Sequence, residues 1–158
     1  MTLEKKQEFT LKITQANKTQ LITILYEMVM DYLDETIDAF AVGAKGDAEK
    51  SIRNAQNCID ELIHSLNMEY ELARVLHKIY IFSKTELTGA FATGNSHRVW
   101  KVKKNFEMLH EAYVELEKMD MSESLMDNTQ KVYAGLTYGR YALNESITAV
   151  SMNRGLMA

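Results

Sequence analysis

Residues 17–42, NKTQLITILYEMVMDYLDETIDAFAV, decide the fold of this chain. At 3.6 residues per turn, one narrow strip of this segment is polar and the rest is largely apolar. The polar strip consists of Thr23, Glu27, Asp31, Asp34, Glu35 and Asp38. The apolar arc covers about 200°, whereas a surface helix of a globular protein needs a stripe of about 100° or somewhat more. The segment is therefore predicted to be a helix buried on two sides, either at the centre of its own bundle or with one side against a partner.

The composition predicts an all-α protein. The 158 residues include no proline and only seven glycines, so most helix breakers and turn formers are missing. Ten methionines add flexible, polarizable side chains that suit a surface which accepts another chain. A hydrophobic content of 46% with 25% charged residues is typical of a soluble globular protein. The length fits one domain with a core of its own.

Charge, hydropathy and cysteine content argue against several classes of protein. The net charge of −4 argues against nucleic acid as the main partner. No stretch approaches the roughly 20 apolar residues that span a bilayer, so membrane insertion is not expected. The N-terminal residues 1–12 lack the apolar region of a secretory signal. The single cysteine, Cys58, cannot form an internal disulfide, which fits a reducing cytoplasm.

Sequence patterns divide the chain into four parts. Residues 1–16 are a polar arm that is expected to be flexible. Residues 17–119 contain four helical segments whose short connections predict an antiparallel up-down four-helix bundle. Residues 120–130, DMSESLMDNTQ, are polar and acidic and are interpreted as a linker. Residues 131–158 are predicted to be an extra C-terminal amphipathic helical segment.

The C-terminal segment has one apolar stripe and two helix-weakening glycines. The stripe consists of Val132, Leu136, Leu143, Ile147 and Val150. Gly135 and Gly139 each cost about 1 kcal/mol relative to alanine in a helix, so the segment is expected to need a surface on which to fold.

Capping residues set the expected helix ends. Asn17 is expected to cap the first helix, which ends near Gly43. Asp47 and Ser96 are expected to cap the second and fourth helices, and the third helix stops at Gly94.

No arrangement of residues for catalysis or metal binding emerges. The four histidines lie on different predicted elements: His64, His77, His97 and His110. A di-iron bundle would need Glu-x-x-His on two helices, and only the pair Glu61 and His64 has that spacing. Cys58 is interpreted as a small buried hydrophobe. The basic run around Trp100 suits an acidic partner or RNA, but is more typical of a solvated helix face. No enzymatic activity, cofactor or metal is therefore expected.

Four motifs, in this order and spacing, resemble the bacterial flagellin export chaperone family, FliS. They are QANKTQLITILYEM at 15–28, AQNCIDELIHSLN at 55–67, LHKIYIFSKTELTGA at 76–90 and MLHEAY at 108–113. The resemblance covers about residues 9–118. Asn17 stands where the family has the serine of a Ser-Pro cap, Met28 stands at the usual glycine, and Tyr113 replaces a tryptophan. Thr85 and Glu86 stand where the family often has two arginines.

The resemblance implies a chaperone of the bacterial cytosol that holds the helical C-terminal segment of unpolymerised flagellin. It would prevent premature polymerisation, aid flagellar secretion and possess a surface for export-gate components. Recognition would be helix-in-groove, with a disordered client folding as it binds. The candidate flagellin-binding residues are Leu21, Ile24, Leu25, Met28, Gln56 and Ile59. The family's N-terminal segment is implied to cap the groove, here through Phe9 and Ile13.

Several alternatives stay open at this point. Each apolar candidate also fits core packing. The chain also fits an oligomeric structural bundle that self-associates through the first predicted helix, so a monomer and a homodimer are both compatible with it. The C-terminal segment fits a groove occupant, a permanently packed helix or a disordered end.

Overall fold

The computed structural model describes residues 1–126, in which five α-helices account for the regular structure. They are α1 (Leu3–Gln15), α2 (Lys18–Ala41), α3 (Lys45–His64), α4 (Glu71–Thr93) and α5 (Ser96–Glu117). Helix α2 packs between α3 and α5, and α4 packs against the same two helices. Together α2 to α5 form the predicted antiparallel bundle. The C-terminal segment 131–158 and the end of the predicted linker lie outside the described residues.

The N-terminal residues form a helix, α1, where the sequence predicted a flexible arm. The hydroxyl of Thr2 caps this helix by accepting a hydrogen bond from the Lys5 backbone N–H at 3.3 Å. Phe9 is the only buried residue of the helix. The apolar stripe of this helix is short, because it consists of Phe9 and Ile13 within an otherwise polar stretch, and this pattern was not interpreted as a helix.

The start of α2 is the predicted one. Asn17 accepts a hydrogen bond from the Gln20 backbone N–H at 2.9 Å, and the Gln20 side chain accepts one from the Asn17 N–H at 3.0 Å. This reciprocal pair is a capping box, which satisfies two backbone donors at the helix start. Gly43, with φ of 70°, turns the chain after the last residue of α2.

Two of the predicted caps are wrong, although the helices themselves are present. Helix α3 begins at Lys45, before Asp47. Asp47 lies in the first turn, where its carboxylate interacts favourably with the positive end of the helix dipole. The cap of α5 is Asn95, and Ser96 is the first helical residue. Helix α4 ends as predicted at Gly94, whose φ of 64° is the left-handed conformation that glycine favours.

An aromatic cluster joins three helices at the centre of the bundle. The hydroxyl oxygens of Tyr26 and Tyr80 lie 2.6 Å apart and share a hydrogen bond. The Tyr80 ring stacks on Phe106 with centroids 6.2 Å apart, and Tyr26 meets Tyr113 edge-on at 5.3 Å. Burial raises the pKa of Tyr80 to about 12 and that of Tyr26 further still. The hydroxyls are therefore neutral and satisfied in the folded protein at neutral pH.

Candidate functional site

Helix α2 contributes to two apolar clusters with different buried members, and this accounts for its wide apolar arc. Tyr26, Val29 and Leu33 are fully buried in the core of the bundle. Ile24 belongs to a second cluster that lies beneath α1. At 100° per residue, Ile24 points away from the other three side chains. The two-sided burial predicted for this helix is therefore met by its own bundle on one side and by α1 on the other.

The second cluster is small. Its buried members are Phe9, Ala16 and Ile24, and its partly buried members are Met1, Ile13, Leu21 and Met28. Phe9 is 4% exposed and Ile24 is 7% exposed. We call the α2 part of this cluster, Leu21, Ile24 and Met28, the α1-docking face.

A row of ion pairs lies beside the apolar contact and orients α1 antiparallel to α2. Lys12 Nζ lies 3.1 Å from Glu27 Oε2, and Lys5 Nζ lies 2.6 Å from Asp31 Oδ1. The N-terminal amino group contacts the carboxylate of Glu35. These three acids are spaced by four residues, so they lie in one row along α2. Part of the polar strip of α2 thus pairs with the cations of α1.

The structure separates the six candidate flagellin-binding residues. Three of them form the α1-docking face. Leu25 packs at the edge of the bundle core. Gln56 donates hydrogen bonds to Thr88 Oγ1 at 3.0 Å and to the Lys84 carbonyl at 3.3 Å, and so joins α3 to α4. Ile59 is fully buried in the core and has no surface for a ligand in this conformation. The six residues therefore do not form one binding surface.

The two candidate groove-capping residues lie together on α1. Phe9 and Ile13, one helical turn apart, both belong to the cluster that contains Ile24. The sequence interpretation missed the accompanying charges. Lys5 and Lys12 are seven residues apart and therefore lie on one side of α1, the side that faces the acidic row of α2.

The chain beyond α5 returns across the junction between α1 and α2. Asn17 Nδ2 donates to the Ser122 carbonyl at 3.3 Å. The Leu125 backbone N–H donates to the Ala16 carbonyl at 3.0 Å. Residues 120–125, within the segment interpreted as a linker, therefore lie beside the end of α1.

The described residues offer little for catalysis. Within 1–126, no group of three or more histidine, cysteine, aspartate or glutamate side chains is arranged to hold a metal ion. Cys58 is buried, and burial raises the pKa of its thiol to about 11, so the nucleophilic thiolate is scarce at neutral pH. Over the same residues, no helix has both the length and the hydropathy to cross a bilayer.

Comparison with known proteins identifies the family. A search of curated proteins finds no match. The sequence model of the family described as "Flagellar protein FliS" matches residues 2–120. That range covers about three quarters of the chain and contains α1, the whole bundle and the α1-docking face, and it ends before the C-terminal segment. The chain therefore belongs to the FliS family of flagellar secretion chaperones.

Proposed function

We propose that this protein binds the C-terminal segment of unpolymerised flagellin as a helix on the α1-docking face, in the place that α1 occupies. The observation that carries the proposal is that the buried members of this cluster differ from those of the bundle core and are covered by one helix, although Met1 and Met28 pack against both clusters. Binding would take place in the bacterial cytosol, before export. Covering the client's apolar face would keep it from polymerising.

The contacts of α1 suggest a cover that a client can displace. Phe9 is its only fully anchored side chain. Lys5 and Lys12 are 46% and 42% exposed, and exposed ion pairs contribute only about 0.2–1 kcal/mol each. Asp31 Oδ2 is buried and has no hydrogen-bond partner among the described residues, so docking also desolvates a carboxylate oxygen.

The spacing of the face indicates which pattern of apolar residues a client helix would need. Leu21, Ile24 and Met28 follow the three- and four-residue spacing that one face of a partner helix can cover. The client helix would place apolar residues at the same spacing. Affinity would come from these anchors, and ordering a disordered flagellin terminus would cancel part of it.

The other three candidates have a smaller part in this proposal. Leu25 adjoins the face at the edge of the core. Gln56 would have to give up its hydrogen bonds to α4, and Ile59 would require the bundle to open. We therefore place client recognition on the α1-docking face, and we expect Gln56 and Ile59 to act through the stability of the bundle.

Calorimetric titration with a flagellin C-terminal peptide tests the proposal. Because α1 competes for the face, Phe9→Ala should strengthen binding. Adding Met28→Asp to that variant should weaken binding at least about tenfold, or 1.4 kcal/mol. Ile81→Asp is the matched control, because Ile81 is 45% exposed on α4, which does not border the face. Absence of binding at about 10–50 μM peptide would mean a binding free energy of less than about 7 kcal/mol in magnitude, and this result would contradict the proposal.

Self-association through α2 is the alternative use of the same face. It also requires α1 to leave, because α1 covers Ile24 within the same chain. Light scattering of the purified protein, with and without the flagellin peptide, distinguishes the two. A dimer that persists with bound peptide would show that the two surfaces differ. Contacts with export-gate components, which the family resemblance also implies, would have to use surfaces other than the one that holds the client.

A further inference from the structure

A second apolar surface lies between α4 and α5. Leu72, Val75 and Phe82 of α4 are 63%, 48% and 51% exposed, and Met108 and Leu116 of α5 are 70% and 43% exposed. Between the helices is a cavity of about 320 Å³, lined by Lys78, Ile79, Phe82, Asn105, Met108 and Leu109. Monomeric proteins rarely expose large apolar side chains in one continuous patch without a use for them.

Ile79, Phe82, Asn105 and Met108 line the cavity, and helical spacing extends this row along both helices. Leu72, Val75, Ile79 and Phe82 lie three or four residues apart and share one face of α4, as do Asn105, Met108, Ala112 and Leu116 on α5. Phe82 and Met108 line the same cavity, and the helices are antiparallel. Leu72 and Leu116 therefore lie at the same end of the bundle. We call this set of eight residues the α4–α5 groove.

The two ends of the groove differ. At the end nearer the α4–α5 connection, Arg98 Nε lies 3.4 Å from Glu86 Oε2, and this pair closes the groove. At the other end, near Leu72 and Leu116, α5 finishes and the chain leaves the bundle. The described chain ends at Met126, whose neighbour Leu125 is bonded to Ala16 at this same end.

The C-terminal sequence has a complementary pattern. Beside its apolar stripe runs a row of small residues: Gly135, Gly139, Ala142, Ser146 and Ala149. A row of small side chains permits close approach to bulky ones, and Phe82 and Met108 project from the groove. From Val132 to Val150, a helix would measure about 27 Å, which is about one turn longer than the roughly 21 Å from Leu72 to Glu86 on α4, so its first turn would extend beyond the groove at the open end.

We propose that residues 131–158 dock in the α4–α5 groove as a helix. The six residue steps from Met126 to Val132 span up to about 20 Å when extended. This length is enough to cross two packed helices, whose axes lie about 8–10 Å apart. The covalent link gives the segment an effective concentration in the millimolar range, which an unlinked partner lacks. The groove also supplies the surface that a segment with two glycines needs in order to fold.

This arrangement leaves the α1-docking face to α1 and the client. The family match ends at residue 120, so the docked segment is an addition to the FliS domain and not part of it. It would cover an apolar surface away from the proposed client site, because the groove residues of α4 and α5 are not members of the cluster beneath α1. The inference is thus independent of the proposed function.

A spin label on the segment tests the proposal in the full chain. Asn144→Cys, on the polar side of the segment, carries a nitroxide, and methionine methyl groups are observed by NMR. The buried Cys58, whose thiol pKa is about 11, should not react, and the unsubstituted chain treated in parallel checks this. With the paramagnetic label, the Met108 methyl signal should lose most of the intensity that it has in the same sample after the nitroxide is reduced. The Met28 signal, beneath α1, should keep its intensity.

Matched variants identify the contact. Ile147→Asp, on the apolar stripe, and Phe82→Asp, in the groove, should each restore the Met108 signal. Thr148→Asp, on the polar side, should leave the loss unchanged. Three results would overturn the proposal: an unaffected Met108, loss at Met28 in its place, or loss at Met108 when label and observed methyl are on different molecules. The second result would indicate that the segment occupies the α1-docking face, and the third would indicate that a second copy occupies the groove.

Discussion

Replacing Phe9 with alanine should release α1 from the bundle and leave the bundle folded. The side chain is 4% exposed, and burying a phenylalanine side chain contributes about 1.5–3 kcal/mol. The additional cavity term of a core substitution does not apply, because α1 can leave the face and let water fill the site. The ratio of undocked to docked α1 should therefore rise about 10- to 150-fold.

Native-state hydrogen exchange measures this ratio directly. In Phe9→Ala, protection of the amides of α1 should fall by that factor, since they exchange when the helix undocks. Protection around Ile59 in α3 should not change, because Phe9 and Ile59 belong to separate clusters. Leu11→Ala is the control on the same helix: Leu11 is 38% exposed, so its effect should be several-fold smaller. Equal loss of protection in α1 and α3 would refute the separation of the two clusters, and unchanged protection of α1 would refute the role of Phe9 as its anchor.

Three further predictions concern stability. Burial raises the pKa of Tyr80 to about 12, above the value of about 10 for an unfolded tyrosine, so its contribution to the free energy of unfolding is complete below pH 10 and is lost as the pH rises towards 12. Urea denaturation across this range should show the decline in stability, and Tyr80→Phe should make that decline smaller. A Cβ added at Gly89 meets the guanidinium of Arg98, which is the end of a flexible side chain and can move. Loss of the Arg98–Glu86 ion pair should be offset by the higher helix propensity of alanine, so Gly89→Ala should change the free energy of unfolding by less than about 1 kcal/mol in thermal melts. Asn17→Ala should destabilise the protein by about 1–2 kcal/mol, whereas Asn17→Asp should recover most of this, since it keeps the capping oxygen and loses only the donor to Ser122.

Much of the fold follows from local sequence. Helices α2 to α5 each have apolar residues at helical spacing, and Asn17, Gly43 and Gly94 mark ends that the structure has. Their short connections then leave the antiparallel bundle as the simplest arrangement. Helix α1 could not be predicted in the same way, because its apolar stripe is only Phe9 and Ile13 and its stability depends on docking these residues on α2.

The direction in which each apolar residue of a helix points is harder to predict. Ile59 and Ile24 have the same side chain in similar helical contexts, yet one is in the bundle core and the other lies beneath α1. Only the positions of the neighbouring helices distinguish them. The same limit applies to α4, where Leu76 is buried and its neighbour Val75 is 48% exposed in the α4–α5 groove.

The response of α1 to the client tests the central claim most directly. Hydrogen exchange of the full chain is compared with and without saturating flagellin C-terminal peptide. If the client replaces α1, the amides of residues 3–15 should lose protection while those of residues 21–28 gain it. If the client binds while α1 keeps its protection, then the flagellin site lies elsewhere and the proposed displacement is wrong.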